Sequence, residues 1–386
     1  MSVVKFSLVK PLVGLCLCTL WACSSTPVVQ VDSSKTNQSV AQPLANPSLM
    51  QYNQQLEQEL NVGDVATLQH KIDVLSIAKH LRLKHPTQFS NLLNTAKVAA
   101  DIKQQLLAGI IDISQSFNWH YLHSEILQDQ SVVAYYRIDS DASYSYVSLW
   151  LEPQSYKIYD FHSVSYAYSA LDFVGKFSQL FSLNVEAQPQ LNALVKSLQT
   201  NEILETVKIY QSLAPALQND GALNDFILRQ YSQLSVNNAQ ILQKIILPVL
   251  EQPGHSSLLF EAHYIQLDNF AAAIKMVEGL PLFALQDSKM QSELAILYAY
   301  HNDFVSAMKH GRQAILAEPN QIEAYFVMLQ VSFLAKDYAL SLDLMNVLVA
   351  KFDYKMGPDV IAEFEESYSF LASAEYKSWL KQRSNS

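Results

Sequence analysis

Three short phrases recur at a spacing of 34 residues near the C-terminal end, and this spacing limits the fold more than any other feature of the chain. Phe270, Phe304 and Tyr338 each follow an Asn or Asp, and Ala273, Ala307 and Ser341 sit three residues further on. Around the middle copy, Leu294, Ala295, Tyr298, Ala307, Ala314 and Pro319 fall at helical spacings on either side of Asn302-Asp303. A helix, a turn and a second helix are expected there. A period of this size means helical hairpins stacked in an array, because one hairpin cannot bury its apolar face alone. Paired apolar runs upstream, 191–198 with 203–213 and 226–234 with 239–250, bring the expected set to about five hairpins.

These residues resemble the tetratricopeptide repeat. The resemblance implies that the small residues let two helices touch, that the aromatic fills the groove to the next hairpin, and that Pro319 ends a second helix. It implies an all-α solenoid over 186–386, closed by a cap from Val360 to Leu380 in which Phe364, Phe370, Leu371, Tyr376 and Trp379 cover the last hairpin. It also implies a concave surface for a protein or peptide partner. Glu293, Tyr300, Gln321 and Gln330, on the inner faces of first helices, are the expected contact residues, whereas Tyr298, Tyr325, Phe326 and Tyr338 are expected in the packing.

The first 22 residues read as an export signal. Lys5 and Lys10 precede an apolar run from Pro11 to Ala22 that is too short to span a bilayer. Leu20-Trp21-Ala22-Cys23 resembles the bacterial lipobox, in which Cys23 would become the acylated first residue of the mature chain. Cys16 and Cys18 would leave with the signal, so the mature protein would have no disulfide and no thiol or cysteine-metal chemistry. Ser24, rather than Asp, after the cysteine implies sorting to the outer membrane, facing the periplasm. Removing two Lys shifts the net charge from −10 to −12. Nucleic acid is a poor partner for so acidic a surface. Residues 23–53, rich in Ser, Thr, Pro, Gln and Asn at their start, read as a disordered tether to the lipid.

An α+β domain is expected over 64–183. Asp73 caps a helix over 74–84 that His85-Pro86 ends, and further helices are read at 86–96 and 98–117. Alternating residues at 132–139, 143–151 and 156–165 predict an antiparallel meander with one face on the helices and the other partly open. Helices followed by a meander ending in Tyr156 to Phe161 resemble the cone-shaped nuclear-transport-factor-2-like superfamily. In its enzymes a His and an Asp inside the cone perform acid-base work on a small apolar substrate.

Two function classes follow. The first is a scaffold or assembly factor that acts through the hairpins and is not an enzyme. The alternative is a small-molecule binder or acid-base enzyme using Tyr144, Tyr146, Trp150, Asp160 and His162, with Asp160 and His162 on the same face of one strand. His120 and His123 lack a third ligand at a metal-binding spacing, so neither a metal nor another cofactor is expected. With nine Gly, the chain has no Gly-rich phosphate loop and no GxSxG elbow.

Overall fold

The computed structural model describes residues 47–140, 144–231, 234, 236–250 and 261–383. The signal, Cys23 and the tether up to residue 46 lie outside the described residues. The described residues form two compact units, 47–250 and 261–383. Helices from 170 to 250 therefore group with the sheet, past the 183 boundary read from the sequence.

The first unit runs α1 (Pro47–Val62), α2 (Val65–Lys71), α3 (Val74–Lys84), α4 (Leu92–Ser116), β1 (Asn118–Ile126), β2 (Val132–Asp139), β3 (Tyr144–Leu151), β4 (Ile158–Ser163), α5 (Ala170–Leu183), α6 (Gln188–Gln199), α7 (Ile203–Ser212), α8 (Pro215–Gln218), α9 (Gly221–Tyr231) and α10 (Val236–Leu250). Helix α3 starts as its cap predicts, with the Asp73 carboxylate accepting from the Ser76 amide at 3.0 Å. Helix α1 begins inside the expected tether. Leu49, Leu56 and Leu60 are buried at helical spacing, and that apolar stripe offsets the entropy of ordering residues 47–53. The two helices read at 86–96 and 98–117 are one. Asn91 caps α4 by accepting from the Leu93 and Asn94 amides, and nothing helix-breaking stands between 95 and 98.

The sheet is an antiparallel meander in the order β1-β2-β3-β4. Strand β1, which carries Trp119 to His123, was not among the expected strands. Its register slips between Tyr121 and His123, and this irregularity breaks the period-two pattern that reveals its neighbours. One face carries Trp119, Tyr121, Tyr136, Val147 and Leu149. Asn53 of α1 anchors it, accepting from the Tyr136 hydroxyl at 3.0 Å while its amide reaches Ser124 Oγ at 3.0 Å. The Trp119 indole donates to Ser114 of α4 at 3.1 Å. The opposite face is partly open, with Arg137, Tyr146, Ser148 and Asp160 buried but Tyr135, Tyr144, Trp150 and His162 only half-buried. The alternation along these strands predicts this division into a covered and a partly open face. Helix α5 packs on β4, at one edge of the sheet.

The second unit runs α11 (Glu261–Gln266), α12 (Phe270–Glu278), α13 (Leu282–Leu285), α14 (Ser288–Tyr300), α15 (Phe304–Ala317), α16 (Ile322–Leu334), α17 (Tyr338–Phe352), α18 (Pro358–Ile361), α19 (Ser367–Ala372) and α20 (Ala374–Arg383). Consecutive long helices pack pairwise, α11 with α12, α14 with α15, and α16 with α17, and α14 also packs on α16. Buried Ala295, Ala299 and Ala307 form part of one interior cluster. Helix α20 packs on α17 and α19 on α16, bringing Phe370 against Phe333 and Tyr338 at ring distances of 5.0 and 5.5 Å.

One turn design recurs. Asn201, Asp268, Asn302 and Lys336 each adopt a left-handed φ, between 54° and 64°. In each case the next amide donates back to a carbonyl five residues earlier: Glu202 to Ser197, Asn269 to Tyr264, Asp303 to Tyr298 and Asp337 to Ser332, at 2.8–2.9 Å. This backbone pattern satisfies the final carbonyls of one helix, and the Asn269, Asp303 and Asp337 side chains then cap the next. Across two of these hairpins the same buried hydroxyl pair recurs, Ser197 with Thr206 and Ser332 with Ser341, both at 2.8 Å.

Candidate functional site

The five pocket residues expected from the sequence do share a face. Tyr144, Tyr146 and Trp150 alternate along β3, Trp150 stands opposite Asp160, and Ser148 stands opposite His162. Their surroundings are structural. Asp160 is fully buried, and both of its oxygens have donors: Oδ1 accepts from the Phe161 and Leu171 amides at 2.9 and 3.0 Å, and Oδ2 from Ser169 Oγ at 2.6 Å. Lys84 Nζ lies 3.6 Å from Oδ2 and 3.2 Å from Asp172 Oδ2. Strand β4 is thus tied to the end of α3 and the start of α5 through one carboxylate.

Burial pushes the Asp160 carboxyl above its ordinary range, against the pull of Lys84 and Ser169. Burial alone would lower the Lys84 ammonium, but Asp160 and Asp172 together hold it above its usual value. Asp172, also partly buried, is held far below the carboxylate range by His85 and Lys84. The His85 ring lies so close to Gly175 that a Cβ there would stand 2.1 Å from it, so only glycine lets α5 approach. His162 Nε2 donates to the Tyr166 carbonyl at 2.8 Å, and burial depresses its basicity. Arg229 is fixed in the same region by Asp225 at 2.8 Å and by the Tyr168 carbonyl at 2.7 Å, and its guanidinium stacks over Tyr166 and Phe173. Such an arrangement can hold three elements in register. Asp160 is engaged as an α5 cap and offers no oxygen that lacks a donor.

His120 and His123 point to the other edge of the sheet's chemistry. His120 pairs with Asp139 at 2.9 Å and His123 with Glu125 at 3.3 Å. Among the described residues no group of three or more His, Cys, Asp or Glu could hold a metal ion. None of the described helices is long and apolar enough to cross a membrane.

The four expected contact residues divide sharply. Glu293 does not face outward: it is 5 % exposed, and its carboxyl hydrogen-bonds that of Glu261 in the interior. It lies on the side of α14 that packs inward, which apolar patterning alone cannot exclude for a residue flanked by Ser292 and Leu294. Gln321 stands at the N-cap of α16 with no capping side-chain bond. Tyr300 and Gln330, on α14 and α16, come together on one target. The Gln330 amide donates to the Glu365 carbonyl at 3.1 Å and accepts from the Glu365 amide at 3.1 Å, while the Tyr300 hydroxyl donates to the Glu365 carboxylate at 2.9 Å. Burial and the bonded Glu365 both raise the Tyr300 phenol above its ordinary value, which keeps it a donor. Sequence reasoning missed Glu365. It lies 35 residues from Gln330 and 65 from Tyr300 in a polar stretch, where no periodic signal marks it.

No protein-family model, curated protein or solved structure matches this chain.

Proposed function

We propose that this protein is a lipid-anchored bacterial envelope scaffold or assembly factor, tethered through Cys23 to the outer membrane, whose tetratricopeptide-like hairpins bind a protein partner. The observation that carries the reading is the recurring turn, with Asp268, Asn302 and Lys336 in the same conformation 34 residues apart and the same backbone closure at each. That period, the small buried residues between α14 and α15, and the packing of α14 on α16 support a stacked array rather than unrelated helices. Asn201 repeats the design between α6 and α7, which supports hairpins of this kind in both units. Stacked hairpins present extended surfaces suited to polypeptide. The engagement of Asp160 as a helix cap supports a binding rather than a catalytic role.

The anchor and the scaffold are tested separately. Cys23→Ala is expected to abolish fatty-acid labelling and to release the protein from the membrane fraction; retention of both would refute the anchor. A photo-crosslinking residue at Gln321 of the full-length protein is expected to capture one dominant envelope protein, and the same residue at exposed Leu204 of α7 is not. No capture from either position, or the same capture from both, would refute the scaffold.

A further inference from the structure

The chain binds part of itself where a partner is expected. The Gln330 side chain meets both the N–H and the C=O of Glu365, at 3.1 Å each, so it reads one residue's backbone as a neighbouring β-strand would. Tyr300 reads the same residue's carboxylate at 2.9 Å. One position earlier, Phe364 packs against Phe326 and Phe333 of α16, with ring centroids at 6.1 and 5.6 Å. Tyr300 is itself held in place by stacking on Phe270 of α12 at 5.2 Å. Three helices thus cooperate to hold the first two residues of a turn, aromatic then acidic, in which the Ser367 amide donates to the Phe364 carbonyl. Immediately after these two, Glu366 takes a left-handed φ of 58°, a conformation that strains a side chain with a Cβ.

We propose that Tyr300, Gln330 and the Phe326–Phe333 surface form a recognition site for a peptide turn that opens with an aromatic residue followed by an acidic one, and that Phe364-Glu365 fills it in cis as a placeholder. The proposal rests on the partner-binding reading above and names the partner's chemistry. Glu365 is exposed to solvent, so its bonds are individually weak and exchangeable. A partner peptide competes with the internal copy, and its apparent affinity is reduced by the fraction of molecules in which the site is filled. The Tyr300 donor to the carboxylate is neutral, so salt does not weaken this contact as it weakens recognition by a basic patch.

The test uses the full-length protein and a fluorescent peptide of the chain's own sequence from Ile361 to Tyr368. Glu365→Arg weakens the internal contact and is expected to tighten peptide binding roughly five- to tenfold over the wild type. Adding Gln330→Ala to that variant is expected to abolish binding. Tyr300→Phe, which removes only a hydroxyl, is expected to weaken the Glu-containing peptide several-fold but not a peptide with Gln in its place. Affinity is expected to rise, not fall, between about 50 and 500 mM salt, because salt screens the repulsion between the acidic peptide and the acidic protein. Binding that is absent from every variant, or indifferent to Gln330→Ala, would overturn the proposal. If the Gln321 crosslink persists in that case, only this assignment falls; if the crosslink is absent too, the partner-binding reading falls with it.

Discussion

Asp160 ties three elements together through one carboxylate. A buried Asp two residues from a His on a strand has the composition of an acid-base pair, yet its four donors come from the elements it joins. Replacing it with Ala removes the acceptor for the Leu171 amide at the start of α5, beside the Ser169 cap, and leaves Lys84 with only the more exposed Asp172 as counter-charge. Loss of one partner of a buried pair costs 3–5 kcal/mol, and because Lys84 retains some access to water we expect about 3 kcal/mol for Asp160→Ala, read as a lower denaturation midpoint. An equally stable variant would refute the structural role. The sequence could place Asp160 and His162 on one face, since period two suffices for that. It could not supply Ser169 or Lys84 as partners, because those contacts depend on how α3 and α5 cross the strand.

At the scale of elements, legibility followed local chemistry. Helix α3 was readable because Asp73 caps it and His85-Pro86 ends it within eleven residues. The hairpins were readable because their turns repeat. Pro86, read as the first turn of a new helix, instead opens a short turn before α4, and β1 escaped because its bulge disrupts alternation. The turns themselves invite a test. Lys336 holds φ at 56°, where a Cβ is strained, and the neighbouring turns use Asp268 and Asn302. Lys336→Gly should therefore stabilise the α16–α17 hairpin by about 0.5–1 kcal/mol, visible as slower amide exchange in both helices. No gain would mean that the Lys side chain compensates for its own backbone strain.

For the molecule as a whole, pH acts through opposed groups. Hydrogen bonds hold Asp64, Asp73 and Asp303 below their ordinary values, so they add stability above the unfolded carboxylate range and lose it as pH falls. Glu261 behaves oppositely. Burial and the adjacent Glu293 hold its carboxyl well above 4.5, so the neutral form is favoured in the fold. Its contribution is complete below the unfolded value and is lost as pH rises through the folded one. The net charge of −10 adds repulsion in the same direction. Thermal stability should therefore decline from mildly acidic pH toward alkaline pH, and Glu293→Gln, which removes one of the two competing charges, should flatten that decline. A variant melting in parallel with the wild type across this range would refute the pairing.

The recurring turn also bears on how the C-terminal unit is made and unmade. Each hairpin is closed by bonds between residues five apart, and each rests on neighbours about 34 residues away, so little of its folding waits on distant segments. On the stacked-array reading proposed above, a chain drawn lengthwise through a narrow opening would surrender such a unit one hairpin at a time. It would regain the unit in the same way, each hairpin serving as the template on which the next one closes.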